Sequence, residues 1–432
     1  MSYRPTITFM TTISPSRAAL LGCLLSFARG LELVMVMVLP MVMLKRLGMS
    51  NSWAAFNTAL LLLPFVLRGV LRPVAEILMR RWLPLVLLQF LMVISVWGVA
   101  GCVSSDMGVG LWLWLAVFSL VGAVHDIMAA KMTALWCDGW KRQRRVQLCL
   151  VCGVLAAVLG MGVTMVLAGD MEVLTRRLDE AWHSAFLLLA AMLAVVEVVG
   201  LCVIPRSEKT TEPLNWHEIW KDNLQKHTRW WTRKNRWPMA LAVILLSLHQ
   251  WLLWRGTLLF LVDPGSIGGL SLGPQGIGFA QGTIGALALM AGLVLGVGAI
   301  KKDGLGHWLW PMVLATTLPD TILLYLSYEM PSDLLTVSGC LLVENLFNGF
   351  GMAGIMLFLF RETNEGDDEV YADTCLAMLA LSAMIAGIAT GFLVDFLGYR
   401  RFFLIVVAAS LVAALTMVWL KWKNWEDKTN TR

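Results

Sequence analysis

Residues Leu115–Trp136 read LAVFSLVGAVHDIMAAKMTALW. The stretch is long enough to cross a bilayer, since about 20 apolar residues in a helix cover ~30 Å of hydrocarbon. Yet it carries His125, Asp126 and Lys131. An ionisable group at bilayer depth costs about 2.5–3.5 kcal/mol on insertion scales, so such groups face a protein interior or a water-filled cavity. Three of them in one helix require a bundle around it.

The rest of the chain supplies that bundle. Its 432 residues are 58% hydrophobic and only 15% charged, the composition of a polytopic membrane protein rather than a soluble domain. Glycine is frequent, which suits helices that approach closely in lipid. Trp82, Trp182, Trp237, Trp308 and Trp422 fall near segment ends, where indole rings anchor at the interface. A net charge of +5 gives no sign of nucleic-acid binding. Cys149 and Cys152 form a C-x-x-C inside an apolar segment with no further ligand, so packing is expected of them, and no metal or cofactor. The first seventeen residues are polar and lack a small-residue cleavage site before the first apolar run, so that run is read as a retained helix.

Apolar windows of spanning length fall near 18–44, 52–71, 83–103, 110–136, 146–168 and 183–204, then near 238–262, 277–299, 308–328, 334–360, 374–394 and 402–420. The expected fold is an all-α membrane protein of twelve transmembrane helices. One six-helix half covers 1–205, a linker 206–237, and a second half 238–432. The linker mixes charge with Trp216, Trp220, Trp230 and Trp231, as an amphipathic helix at the lipid surface would. A regulatory or partner-binding role is the other reading of it. Lys and Arg orient the chain. With both termini in the cytoplasm, inside loops hold Arg80, Arg81, Lys141, Arg142, Arg144, Arg145, the basic linker, Lys301 and Lys302. Outside loops keep Lys45, Arg46, Arg176, Arg177, Arg400 and Arg401, and loops 263–276 and 329–333 hold none. That is a positive-inside bias. The inside loop 361–373 is acidic, and acids weigh little in the rule. Six helices, a cytoplasmic linker and six helices is the layout of the major facilitator superfamily, with a site near mid-membrane between the halves.

Polar residues inside the helices mark candidate sites. Arg29 and Glu32 lie three apart, on one face of helix 1. Arg68, Arg72 and Glu76 follow at four-residue steps on helix 2, a stripe running toward the cytoplasmic end. His125 and Asp126 on helix 4, and Glu344, Asn345 and Asn348 on helix 10, sit mid-helix in equivalent places of the two halves. Helix 7 holds His249 and Arg255, helix 6 Glu197, and helix 9 Asp320 after Pro319. Arg29–Glu32 reads equally as a neutralised structural pair, and Glu197 as a residue that reaches for the membrane edge. No H-E-x-x-H, G-x-S-x-G or P-loop is present, so an enzyme is not expected.

Several motifs resemble AmpG-type muropeptide permeases and related acetyl-CoA transporters. They are Ala123-Val-His125-Asp126-Ile127, Leu63-Pro64-Phe65-Val66-Leu67-Arg68-Gly69-Val70-Leu71-Arg72-Pro73, and Leu258–Leu272 with Gly282-Thr-Ile-Gly285. Val343-Glu344-Asn345-Leu346-Phe347-Asn348-Gly349-Phe350-Gly351 and Gly391-Phe-Leu-Val-Asp395-Phe-Leu-Gly398-Tyr399 followed by Phe402-Phe403 complete the set. The chain departs from the pattern at Ala130 and Lys131, at Trp251 and at Asn348. The resemblance implies uptake of a small solute across the bacterial inner membrane, driven by protons, by a monomer in lipid. Arg29, Glu32, His125, Lys131, His249, Arg255, Asn345 and Asn348 are then expected to bind an anionic or carboxylate-bearing solute. Asp126 and Glu344 would carry protons. Arg68, Arg72, Glu76 and Asp395 would form gates. The departures leave a second reading open, a transporter-like membrane protein that serves as a sensor or as a subunit of an envelope assembly.

Overall fold

The computed structural model of the chain describes residues 15–79, 81–105, 108–136, 142–204, 216–232, 236–361 and 368–430. The charges read at Arg80 and Lys141, the linker segment 206–215 and most of the acidic loop lie outside the described residues. Among the described residues, eleven helices are long and apolar enough to cross a membrane. The remaining crossing is span 2, which runs as three short helices, Asn51–Leu60, Leu63–Val66 and Arg68–Leu78. Pro64 lacks a backbone N–H and starts the middle piece, and Pro73 sits inside the last. The twelve spans form an all-α membrane fold of two six-helix sets.

Span 1 is Pro15–Met37 continued by Leu39–Arg46, span 3 Trp82–Ser105, span 4 Val109–Trp136 and span 6 Leu178–Val203. Span 7 is Arg236–Val262, span 10 Leu334–Arg361, span 11 Asp368–Leu397 and span 12 Tyr399–Asn430. Span 9 breaks at Leu318–Pro319 into Leu305–Thr317 and Asp320–Glu329. Gly398, at φ +75°, makes the tight turn between spans 11 and 12. Because each span reverses direction, the start of span 1, the linker helix and the end of span 12 share one side, here the linker side.

The halves meet most extensively where span 2 lies against span 11 and span 5 against span 8, and span 7 also touches the far-side end of span 1. Span 5 runs from Arg142–Ala157 through Thr164–Thr175 and span 8 is Pro274–Asp303, and each contains a π-helical stretch at the crossing, Val158–Val163 and Gly278–Gly285. Glycine lets the backbones touch there. A Cβ on Gly278 would stand 2.7 Å from the Gly162 carbonyl oxygen, and one on Gly282 would stand 2.7 Å from the Gly162 Cα. Such close small-residue contact is how helices associate without a hydrophobic drive in lipid.

The two sides of the molecule are not equally closed. Every residue from Val34 to Leu44 on span 1 is buried, and so is every residue from Arg255 to Asp263 on span 7. A helix buried on all sides is wrapped by its neighbours, so the far side is sealed. Toward the linker side both spans regain exposed positions such as Arg17, Leu20, Trp237 and Leu241.

A linker helix, Trp216–Thr232, fills part of the segment expected to be amphipathic. It touches both halves. Asn223 donates to the Gly69 carbonyl on span 2 at 3.0 Å, and Trp230 is buried against Tyr371 of span 11, ring centroids 6.2 Å apart. Trp216, Trp220 and Leu224, spaced by four, stay exposed along one stripe.

Candidate functional site

The apolar faces of spans 1, 2 and 4 bring the polar residues of the first half together. Asp126 is the centre. Arg29 of span 1 donates to it through Nε at 2.5 Å, and Arg68 of span 2 donates to its other carboxylate oxygen. Arg68 also reaches across to the second half, its Nε 3.0 Å from Asp373 on span 11. Arg72, one turn further along, donates to the same Asp373 and to Glu76 at 3.0 Å. Lys131 of span 4 stands 3.3 Å from Glu76. Span 4 therefore holds its acid and its base on separate partners, as their angular separation on the helix requires.

A second cluster lies beside the first. His125 is completely buried, with Nδ1 against Glu32 and Nε2 3.1 Å from Gln89 of span 3. Glu32 is buried against the imidazole, with Arg29 nearby. Glu197 on span 6 is buried without a hydrogen-bond partner on either oxygen.

The second half is built differently. Glu344 accepts from Asn345 and Asn348 on its own helix, so its two oxygens are taken by neutral amides. His249 is buried next to the Thr316 and Leu246 backbones, and neither ring nitrogen makes a well-formed hydrogen bond. Asp320 is buried near Glu344.

Arg255 is not brought to either group. It is fully buried between spans 7, 1 and 2, donating through Nη1 to the Met37 carbonyl at 3.0 Å and to Thr58 Oγ1 at 3.2 Å. It ties the halves together below the far-side seal. Above it, Asp263 at the end of span 7 forms a buried ion pair with Lys45 of span 1 at 2.8 Å. The same carboxylate accepts from Asn51 at 2.7 Å and from the Tyr399 hydroxyl. Asp395 accepts the Ser52 backbone N–H at 2.8 Å, in the first turn of span 2. An acid there also meets the positive end of the helix dipole. Residues 264–272 fold back over the end of span 7, with the Leu270 and Leu272 N–H groups on the Phe260 and Leu261 carbonyls.

Asp373 and Asp263 escaped the sequence reading. In the sequence Asp373 falls in an acidic loop, Lys45 is one of the outside-loop bases, and Asp263 stands inside the Leu258–Leu272 motif with no role of its own. A signal existed for Asp373, an acid at the entry of an apolar span in a protein with an arginine stripe of matching depth.

Residues 15–368 match the family model described as Major Facilitator Superfamily. A search of curated proteins returns no significant match. Among solved structures, a mutant of the nucleoside transporter NupG is similar at TM-score 0.65 and 12% identity, covering 93% of this chain and 99% of that one. The xylose transporter XylE from E. coli, partially occluded and inward open, aligns at TM-score 0.63 and 14% identity over 96% and 98% of the two chains. A D-xylose–proton symporter aligns at TM-score 0.64 and 14% identity over 93% and 96%.

Proposed function

Since the chain belongs to the Major Facilitator Superfamily, we propose that it is a secondary active transporter. It moves a small anionic or carboxylate-bearing solute across the bacterial inner membrane by alternating access. The observation that carries the solute class is Arg29. It shares the Asp126 carboxylate with Arg68, and its side chain keeps 31% of its surface exposed against 4% for Arg68. A solute carboxylate arriving between the halves can replace Asp126 on Arg29 without stranding Asp126, because Arg68 stays on it. The charge-assisted, two-pronged contact of a guanidinium with a carboxylate gives such a site its selectivity. The AmpG-like motifs favour a muropeptide-, sugar- or peptide-like solute.

In this reading Asp126, held by two guanidinium groups, is a permanent anion that positions Arg29. Proton carriage falls to the second half, around Glu344, which no cation neutralises among the described residues. Arg68, Arg72 and Asp373 join the halves on the linker side and open when that side opens. Asp263, Lys45 and Asp395 do so on the far side.

Uptake into proteoliposomes under an inward proton gradient tests the reading. Muropeptides, small peptides, sugar acids and neutral sugars are supplied in turn. At least one carboxylate-bearing solute is expected to accumulate, and Arg29→Gln is expected to reduce its uptake tenfold or more, about 1.4 kcal/mol of lost binding at the least. Accumulation of neutral sugars alone, unaffected by Arg29→Gln, overturns the solute class. No accumulation of any of them favours the non-transporting sensor or subunit.

Orientation rests on the Lys and Arg of the loops, which place the linker side in the cytoplasm. A cysteine placed at Ser266, exposed on the far side, is then labelled by an impermeant reagent in intact cells from which the outer membrane has been stripped. Labelling only after permeabilisation of the inner membrane reverses the orientation.

A further inference from the structure

Span 9 carries a carboxylate that the transport site leaves unused. Asp320 opens the helix Asp320–Glu329, directly after Pro319. It is 0% exposed, and neither oxygen has a hydrogen-bond partner. The charged and titratable groups on the elements around it do not help. Span 10 presents Glu344, close enough to act on Asp320 electrostatically and of the same sign. Span 7 presents His249, which lies against the Thr316 backbone one turn earlier and without a well-formed hydrogen bond. On span 12, Arg400 is engaged two turns further along, donating to the Ser327 carbonyl at 3.2 Å and stacked over Tyr328. The first helix of span 9 carries only His307, at its distant linker-side start.

An ionised Asp320 would be a buried charge without donor or counter-ion, beside a second acid. Desolvating an ion costs more than its Coulombic partners return unless they are excellent, and Asp320 has none. The positive start of its own helix offsets only a fraction of that cost. Glu344 has two amide donors that can stabilise a carboxylate, and Asp320 has none. Protonation removes that penalty, and of the two acids Asp320 has the greater need of it.

We propose that Asp320 and Glu344 form a proton-binding pair in the second half, with Asp320 protonated while the far side is closed. Releasing that proton requires water or a cation to reach span 9, which the closed packing prevents. Proton release is thereby tied to a change in packing of the second half. Its use in driving uptake rests on the transporter reading; the protonation itself does not.

Infrared spectroscopy of the purified full-length protein in lipid reads the protonated carboxyl directly, through a C=O stretching band that shifts in heavy water. At neutral pH the parent is expected to show the band, and Asp320→Asn to lose one carboxyl's worth of it. Asn mimics the protonated acid in shape, so this variant is expected to fold. Glu344→Gln is expected to keep the Asp320 band and move it, because the side chain beside Asp320 has changed. Should Asp320→Asn not fold, Asp320→Glu keeps the acid in a new position and is expected to shift the band. A spectrum in which Asp320→Asn, or in its place Asp320→Glu, matches the parent in the protonated-carboxyl region overturns the proposal. This readout needs no solute, so a failed uptake screen leaves it standing and a failed spectrum leaves the transporter reading standing.

Discussion

Asp126→Asn is expected to destabilise the folded protein by about 3–5 kcal/mol, the cost of removing one member of a buried ion pair. The substitution keeps the side-chain shape and removes the charge. It leaves Arg68, 4% exposed, with Asp373 alone, and leaves Arg29 without its hydrogen-bonded carboxylate. The lower end of the range applies, because Arg29 keeps 31% of its surface exposed and can turn to water. Thermal unfolding in detergent reads the loss as a lower melting temperature. Removing the stranded cation at the same time should recover part of it, so Asp126→Asn with Arg68→Gln is expected to be more stable than the sum of the two single changes. An unchanged melting temperature for Asp126→Asn would mean that Asp126 is not held as an anion, and would return it to the candidates for proton carriage.

The second large effect is expected at Asp263. Its pair with Lys45 is buried on both sides, with side-chain exposures of 1% and 8%. Asp263→Asn leaves the Lys45 ammonium inside the far-side seal without a counter-charge. Here the chain has an escape that Asp126→Asn does not offer. If the far side opens, Lys45 at the end of span 1 reaches water and the penalty disappears. The same 3–5 kcal/mol therefore appears as a shift in conformation more than as unfolding. Every 1.4 kcal/mol is a factor of ten, so the ratio of far-side-closed to far-side-open protein is expected to fall by two orders of magnitude or more. A substitution favours whichever conformation relieves it, and only by the difference it makes between the two.

Sequence reasoning reached parts of this account because some signals are local. The spans were legible because no other structure satisfies the backbone of so apolar a chain in lipid. The Arg72–Glu76 contact was legible because four-residue spacing puts both groups on one side of one helix. What stayed hidden depends on which face of a helix meets which neighbour. Arg255 reads as a cavity cation, being a charge in an apolar helix, yet the rotation of span 7 turns it into the contact between the halves. Asp373 gains meaning only once span 11 lies along span 2, three hundred residues away in the chain. Span 2 was placed at 52–71 from its apolar run. Its last turns to Leu78 carry the arginine stripe, which lowers the very hydropathy that marks a span. Asp320 was visible as a residue, but its lack of partners was not.

In the proposed transport cycle the halves rock about the crossings of spans 2 with 11 and 5 with 8, closing one side while opening the other. Pulsed electron–electron double resonance measures this without a solute. One label pair replaces the far-side residues Met49 and Ile267, and the other the linker-side residues Arg81 and Lys301, all exposed. In the parent the far-side pair is expected to show mainly its short distance. In Asp263→Asn the far-side distance is expected to lengthen while the linker-side distance shortens in the same sample. Distances that stay fixed at both ends, or that lengthen together, would contradict alternating access.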